Sequence, residues 1–190
     1  MYRGPTTKLA NGGKRIPLSV RERGVDHKPE EEFAEFYRTA RDGCLRAVYS
    51  ACGNLALAED LTNEAFARAY MSWRKVSAHP APRAWVVRTA LNTHVSWWRR
   101  RRREVAWQPG LDLARDGPEG PALDARILAA LRELPRRQRE VIALRVFLDL
   151  DTETTARELG IAPGTVTAHL SRAAATLRVA LAPFQQQEKI

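Results

Sequence analysis

Leu131-Arg-Glu-Leu-Pro135-Arg-Arg-Gln-Arg-Glu140-Val-Ile-Ala-Leu-Arg145, continued from Thr155 by Thr155-Ala-Arg-Glu-Leu-Gly160-Ile-Ala-Pro-Gly-Thr165-Val-Thr-Ala-His-Leu170-Ser-Arg, is the stretch that decides the fold. It reads as a helix, a short helix, a Gly-containing turn and a second helix, the order of a helix-turn-helix DNA reader. Gly160 follows Leu159, the last periodic residue, where a helix end needs a left-handed conformation. Pro163 cannot continue the first helix and is well placed to open the second. In that second helix Val166, Leu170, Ala173, Leu177 and Leu181 make one apolar stripe, and Thr165, His169, Arg172 and Thr176 lie on another face, free to meet a groove.

Working outward, the chain of 190 residues carries a formal net charge of +9, most of its positive side from arginine. Such a balance suits a polyanion, nucleic acid before membrane. No apolar run approaches the roughly 20 residues that span a bilayer, and the first 28 residues lack the apolar core of a secretory signal. A cytoplasmic location without membrane insertion is therefore expected. Cys44 and Cys52 sit on one predicted helix, about 12 Å apart along its axis, too far for a disulfide.

Four segments precede a short tail. Residues 1–28 are polar, basic and aperiodic, and are expected to be disordered. Residues 29–104 are helical in pattern. Residues 105–123 hold Pro109-Gly110, Gly117-Pro118 and Gly120-Pro121, which makes them a linker, the only acidic segment through Asp112, Asp116 and Glu119. Residues 124–183 form a second helical unit, and 184–190 are the tail. The fold class expected is all-α: two small helical domains on a flexible tether.

In the first domain Phe33, Tyr37, Ala40, Cys44, Val48 and Cys52 form an apolar stripe, broken at Gly53-Asn54, where Asn54 can cap the next helix. That helix has the stripe Leu57, Leu61, Ala65, Ala69 and an exposed acidic group, Glu59, Asp60 and Glu64. The loop Ser77-Ala-His-Pro80-Ala-Pro82 follows, and Pro82 can open a helix with Val87, Leu91, Val95 and Trp98 on its apolar side. This helix also carries Asn92, His94, Trp97 and five consecutive arginines, Arg99 to Arg103. Rings can stack an unpaired base and guanidinium groups can hold phosphates, a pairing suited to DNA whose strands are separating. Trp98 falls on the core stripe. Trp97 points about 100° away and is open to a stacking role. A solvated helix end favoured by the macrodipole is the plainer reading of the arginines.

Two blocks now resemble a known family. Ala58-Glu-Asp-Leu-Thr-Asn-Glu64-Ala-Phe66, with Pro82-Arg-Ala-Trp85-Val-Val-Arg88-Thr-Ala-Leu-Asn92 and Trp97-Trp98-Arg-Arg, is similar to the sigma-two domain of the extracytoplasmic-function (ECF) sigma factors. Leu134-Pro-Arg-Arg-Gln138-Arg-Glu-Val141 through Gly164-Thr-Val166 resembles their sigma-four domain. The tryptophan pair with its arginines is closest to the actinobacterial sigma-E-like branch. The resemblance implies a bacterial sigma factor, with core RNA polymerase and promoter DNA as partners and an anti-sigma factor as a third candidate. It implies that Asp60, Leu61, Glu64 and Phe66 bind core polymerase. Ser77, His79, Asn92, Trp97, Arg99, Arg100 and Arg101 would meet the minus-ten element, and Thr165, Thr167, Ala168, His169 and Arg172 the minus-thirty-five element. The acidic linker would thread toward the polymerase active centre.

The chain departs from the family at several points. Thr167 stands where Lys or Arg is usual, so Arg172 is the one sure cation on the reading face. Thr155 replaces a larger aliphatic residue, and its buried hydroxyl would cost about 1–3 kcal/mol unless bonded to the preceding turn. Thr154 is not the Glu or Gln that completes a capping box behind Asp151.

Two other classes compete. A helix-turn-helix regulator binding duplex DNA without polymerase accounts for residues 124–183 but gives no role to the acidic helix or the tryptophan–arginine helix. A metal-dependent nuclease would use Glu59, Asp60 and Glu64, but no further carboxylate or His cluster completes such a site. No catalytic constellation, metal site or cofactor is expected, and the chain reads as a non-enzyme.

Overall fold

Pro29 opens the first helix, α1 (Pro29–Cys52), with Glu30, Glu31 and Glu32 in its first turn at the positive end of the macrodipole. The structure, a computed structural model, describes residues 28–104 and 124–185, without the side chains of 97–104 and 183–185. The expected basic extension and the linker lie outside the described residues, as does most of the tail. Within them every regular element is helical. No described helix is long and apolar enough to cross a membrane.

α1 stops at Gly53, whose φ of 74° only glycine adopts without strain, and whose N–H bonds the Tyr49 carbonyl. Asn54 then starts α2 (Leu55–Met71) by accepting from the Leu57 N–H at 2.8 Å. A one-turn helix, α3 (Trp73–Ser77), and the proline loop lead to α4 (Pro82–Glu104). α1, α2 and α4 pack through Ala40, Cys44 and Val48, through Leu61, Ala65 and Ala69, and through Val86, Val87 and Ala90, all buried. Small side chains at these positions let three backbones approach closely. Aromatic rings fill the wider end, with Tyr37 edge-on to Phe66 at 4.9 Å and Phe33 edge-on to Trp73 at 5.2 Å. Cys44 and Cys52 are free thiols, and burial pushes the Cys44 thiol up to about 12.

The second group contains α5 (Ala125–Arg132), α6 (Arg136–Ile142), α7 (Thr152–Leu159) and α8 (Pro163–Gln185). α6 runs straight into a π turn, Ala143–Phe147, before Asp149 reverses the chain at φ 53°. On its own this group buries little: Leu131, Leu134, Ile142 and Ala173 in one cluster, Val141, Ala156 and Val166 in another. Three more of its buried apolar residues, Ala143, Leu144 and Leu148, belong instead to the core of the first group. The π segment and the residue after it pack on α1. Two domains on a tether did not include this: the two groups share one core.

Polar contacts flank that shared core. The last carbonyls of a helix have no partner within it, and two of those at and just past the end of α1 are taken by the second group. Arg132 donates to the Gly53 carbonyl, and Arg139 Nε donates to the Ala51 carbonyl at 2.8 Å. A side chain on Gly53 would collide with Arg132, with a Cβ only 2.9 Å from its Nε, so the glycine serves the approach as well as the turn. Across the same seam His94 of α4 lines a cavity of about 380 Å³ with Arg136, Arg139 and Glu140. Glu140 is itself buried and paired with Arg136 and Arg137 at 2.7 and 2.8 Å.

Leu144→Ala should cost about 2–5 kcal/mol, the range for truncating a buried leucine. Four of the five tryptophans lie in the first group, Trp107 in the linker and none in the second group, so fluorescence does not follow the second group directly while circular dichroism follows both. Wild-type transitions in urea should coincide by the two probes, and in Leu144→Ala the second group should melt first. A second expectation concerns acid. Burial first, then Arg136 and Arg139, lower the His94 pKa, with Glu140 opposing. The packed state therefore resists the proton that an exposed histidine takes near pH ~6.5. Its stability is complete above that pH and falls as pH drops below it. His94→Gln should flatten this acid limb in denaturation midpoints. An unchanged limb would assign the loss to another group.

Candidate nucleic-acid interface

On α2 the apolar stripe faces inward and leaves Glu59 and Asp60 exposed, with Glu64 half-buried at the edge. Leu61 is 0% exposed and Phe66 2%, inside the α1–α2–α4 core. Of the four residues expected to bind core polymerase, these two are packed in the core, and Asp60 and Glu64 are the ones that reach the surface. Their place is to set the register of the helix, so that Asp60 and Glu64 face out.

Glu64 does not stand alone. Arg68, one turn on, pairs with it at 2.5 Å and also donates to the Thr93 hydroxyl at 3.3 Å. Thr93 in turn donates to the Thr89 carbonyl at 3.0 Å. This chain of bonds floors an open cleft of about 720 Å³ between α2 and α4, walled by Trp85, Asn92 and Ser96 and edged by Met71. Asn92 is exposed, with its amide available to a ligand, and Met71 is 84% exposed. Residues expected at two separate interfaces, Glu64 and Asn92, thus line one cleft. Arg68 and Met71 were not singled out from sequence. Met71 falls off the Leu57–Ala69 stripe by helical spacing, which is the signal that could have marked it as outward-facing.

Before α4 the proline loop is folded on itself. His79 Nδ1 accepts from the Ala81 N–H at 3.1 Å, which leaves Nε2 to carry the proton of the neutral ring. Ser77 is exposed and donates weakly to the Arg74 carbonyl at 3.4 Å. Asn92 follows Pro82 by ten residues, about 15 Å along the helix axis. The side chains of Trp97, Arg99, Arg100 and Arg101 lie outside the described residues, although the α4 backbone continues through all four.

Asp151 caps α7 by accepting from the Thr154 N–H at 2.7 Å, and Thr154 returns a hydroxyl bond at 3.0 Å. This bond runs to the cap's carboxylate, whereas the Glu or Gln of a capping box would accept from the cap's own N–H. Thr155 is fully buried, and its hydroxyl donates to the Asp151 carbonyl at 2.8 Å, the bond to the preceding turn that burial requires. Gly160 ends α7 at φ 64°, and Pro163 opens α8. Thr165, Thr167 and Arg172 are exposed on the first turns of α8, with Ala168 and His169 half-buried beside them. Thr167 spends its hydroxyl proton on the Pro163 carbonyl at 3.3 Å, so it meets a ligand as an acceptor.

One contact joins the two reading regions. Glu158, on α7 and only 2% exposed, sets Oε1 3.5 Å from His79 Nε2 and Oε2 3.9 Å from Arg88 of α4. On sequence a glutamate in an amphipathic helix reads as solvent-facing, and nothing local marks it otherwise.

Residues 36–104 match Sigma-70 region 2, and residues 124–177 match Sigma-70, region 4. The RNA polymerase sigma-E factor of Streptomyces antibioticus is 36% identical over 149 residues, covering 77% of this chain and 83% of that protein. The ECF RNA polymerase sigma factor SigW of Bacillus subtilis is 27% identical, over 85% of this chain and 95% of its own. Among solved structures, the sigma factor RpoE of Bartonella quintana, in complex with the anti-sigma factor NepR, superposes with a TM-score of 0.70. It is 25% identical, over 80% of this chain and 97% of that one. With both regions matched in order on an all-helical fold, and with the actinobacterial sigma-E factors aligned over most of their length, this chain belongs to the ECF RNA polymerase sigma factors.

Proposed function

We propose that this chain joins core RNA polymerase through the outer face of α2 and directs it to promoters, where it promotes strand separation. Residues 29–104 act as the sigma-two unit and 124–183 as the sigma-four unit, with 105–123 as the linker between them. Asp60 and Glu64 present carboxylates to a basic surface of the polymerase, where charge complementarity fixes register and speeds encounter. The loop Ser77–Pro82 with Asn92, Trp97 and Arg99 to Arg101 serves the minus-ten element. Thr165, Thr167, Ala168, His169 and Arg172 serve the minus-thirty-five element in the major groove. An anti-sigma factor is a further partner.

The observation that carries this reading is the shared cleft between α2 and α4. Glu64, Arg68 and Thr93 connect the polymerase side of the fold to the wall that holds Asn92. A duplex reader has no use for an open cleft with an exposed amide and a half-buried indole beside it. An unpaired base does: Trp85 offers a ring face and Asn92 both a donor and an acceptor for a base edge.

Core polymerase reconstituted with the chain and offered a promoter library should yield sequence-selected transcripts. Asn92→Ala should then relax discrimination at one minus-ten position by about 1–3 kcal/mol. Replacing Arg99 to Arg103 by Gln should weaken all promoters alike and flatten the salt dependence, since phosphate contacts carry no sequence. If Asn92→Ala lowers every promoter equally, the base-reading role of the cleft is wrong.

A further inference from the structure

We propose that the cavity between α1, α4 and α6 is a binding site for a small aryl carboxylate, with the carboxylate on Arg136 and His94 and the ring against Leu91, Val95 and the face of Arg139. The site goes beyond the promoter reading above and does not depend on it.

The charges around the cavity do not balance. Arg136, Arg139 and Glu140 of α6 and His94 of α4 form its polar side. Arg136 and Arg137 hold the two oxygens of Glu140 at 2.7 and 2.8 Å. Three guanidinium groups thus share one buried carboxylate that is already fully engaged. Like charges held together repel, and an anion placed among them removes that cost. His94 feels the crowding, because burial first and then Arg136 and Arg139 lower its pKa.

Donors are left over on the same side. Arg136 spends Nε on Glu140 and keeps both Nη groups, in the planar fork that matches a carboxylate. Among the described residues His94 has no hydrogen-bond partner. Arg139 is the opposite case. Its Nε is spent on the Ala51 carbonyl at 2.8 Å, and its Nη1 on the Leu134 and Arg132 carbonyls at 2.6 and 3.1 Å. Tied at these points its plane is fixed, and a fixed guanidinium plane is a stacking surface for a ring.

The other wall is apolar. Leu91 and Ala51 are buried, and half-buried Val95 stands one turn from Leu91. An inorganic anion would leave this wall wet, whereas an aromatic ring covers it. A cavity of about 380 Å³ lies at the small end of small-molecule sites and holds about one or two fused rings.

His94 donates to a carboxylate most strongly as the charged ring, so binding draws a proton onto it. The charged groups facing it are all on α6: Arg136 and Arg139 oppose its charge and Glu140 favours it. Among the described residues α1 presents Ala51 to the cavity, and α4 adds Leu91 and Val95, none of them charged. A ligand carboxylate tips the balance toward the charged ring and raises the lowered pKa, so affinity rises as pH falls.

Calorimetry on the full chain tests this with naphthoate as the probe. Naphthamide supplies the ring without the charge, and inorganic phosphate the charge without the ring. Both should bind about tenfold or more weaker than naphthoate, the scale of one charge-assisted bond. Arg136→Gln and His94→Gln should each weaken naphthoate by a similar factor. Binding should be tighter at pH ~6.5 than at pH ~8 with uptake of a proton, and His94→Gln should abolish the uptake. Phosphate as tight as naphthoate would reduce the site to an anion contact, and naphthamide as tight would make it an apolar hole; either overturns the assignment. So does naphthoate that fails to bind, or that binds both variants as it binds wild type. Arg136 is exposed and Glu140 keeps Arg137, so Arg136→Gln should retain its helical content. If it does not, His94→Gln decides.

Discussion

The C-terminus of α1 is the joint on which the molecule turns. A helix end leaves carbonyls without intrahelical partners, and here Ala51 and Gly53 give theirs to Arg139 and Arg132 of the second helical group. With those bonds made, the π turn sets Leu144 and Leu148 against α1, and α7 comes to rest on the start of α4. A β-carbon at residue 53 would strike Arg132 and disturb the whole series.

This joint explains why the second group can be so sparsely packed. Seven buried residues in two clusters are a thin core for about 60 residues, and Leu144 and Leu148 would be largely wet without α1. Small helical units stabilise themselves by borrowing a neighbour's surface, and such borrowing is reversible when the seam contains polar groups that water can replace. The exposed face of α8 is untouched by the loan. Val166 and Ala173 hold its reading residues from behind, within the second group's own clusters.

Local signals were legible in the sequence and distant ones were not. Asn54, Pro82, Gly160 and Pro163 mark helix ends through their own backbone chemistry, and the structure uses each as expected. The buried Thr155 with its bond to Asp151 likewise follows from a four-residue relation. Glu158, Arg132 and Arg139 act on partners dozens of residues away, and periodicity carries no information about which surface will be near. The burial of Leu61 and Phe66 was hidden for a related reason. Matching them to a motif said that the helix matters, while the burial of their side chains depended on how α1 crosses it. The π turn has no composition signal at all, and the packing of Leu144 on α1 became visible only in three dimensions.

Amide hydrogen exchange across α6 and the π turn examines the shared joint most directly. In the free chain these amides should be as protected as those of α1, because both belong to one core. Leu144→Ala should speed exchange along α6 and the π turn while leaving the middle of α2 protected. Fast exchange of α6 and the π turn in the wild-type chain, with α1 protected, would contradict a single shared core.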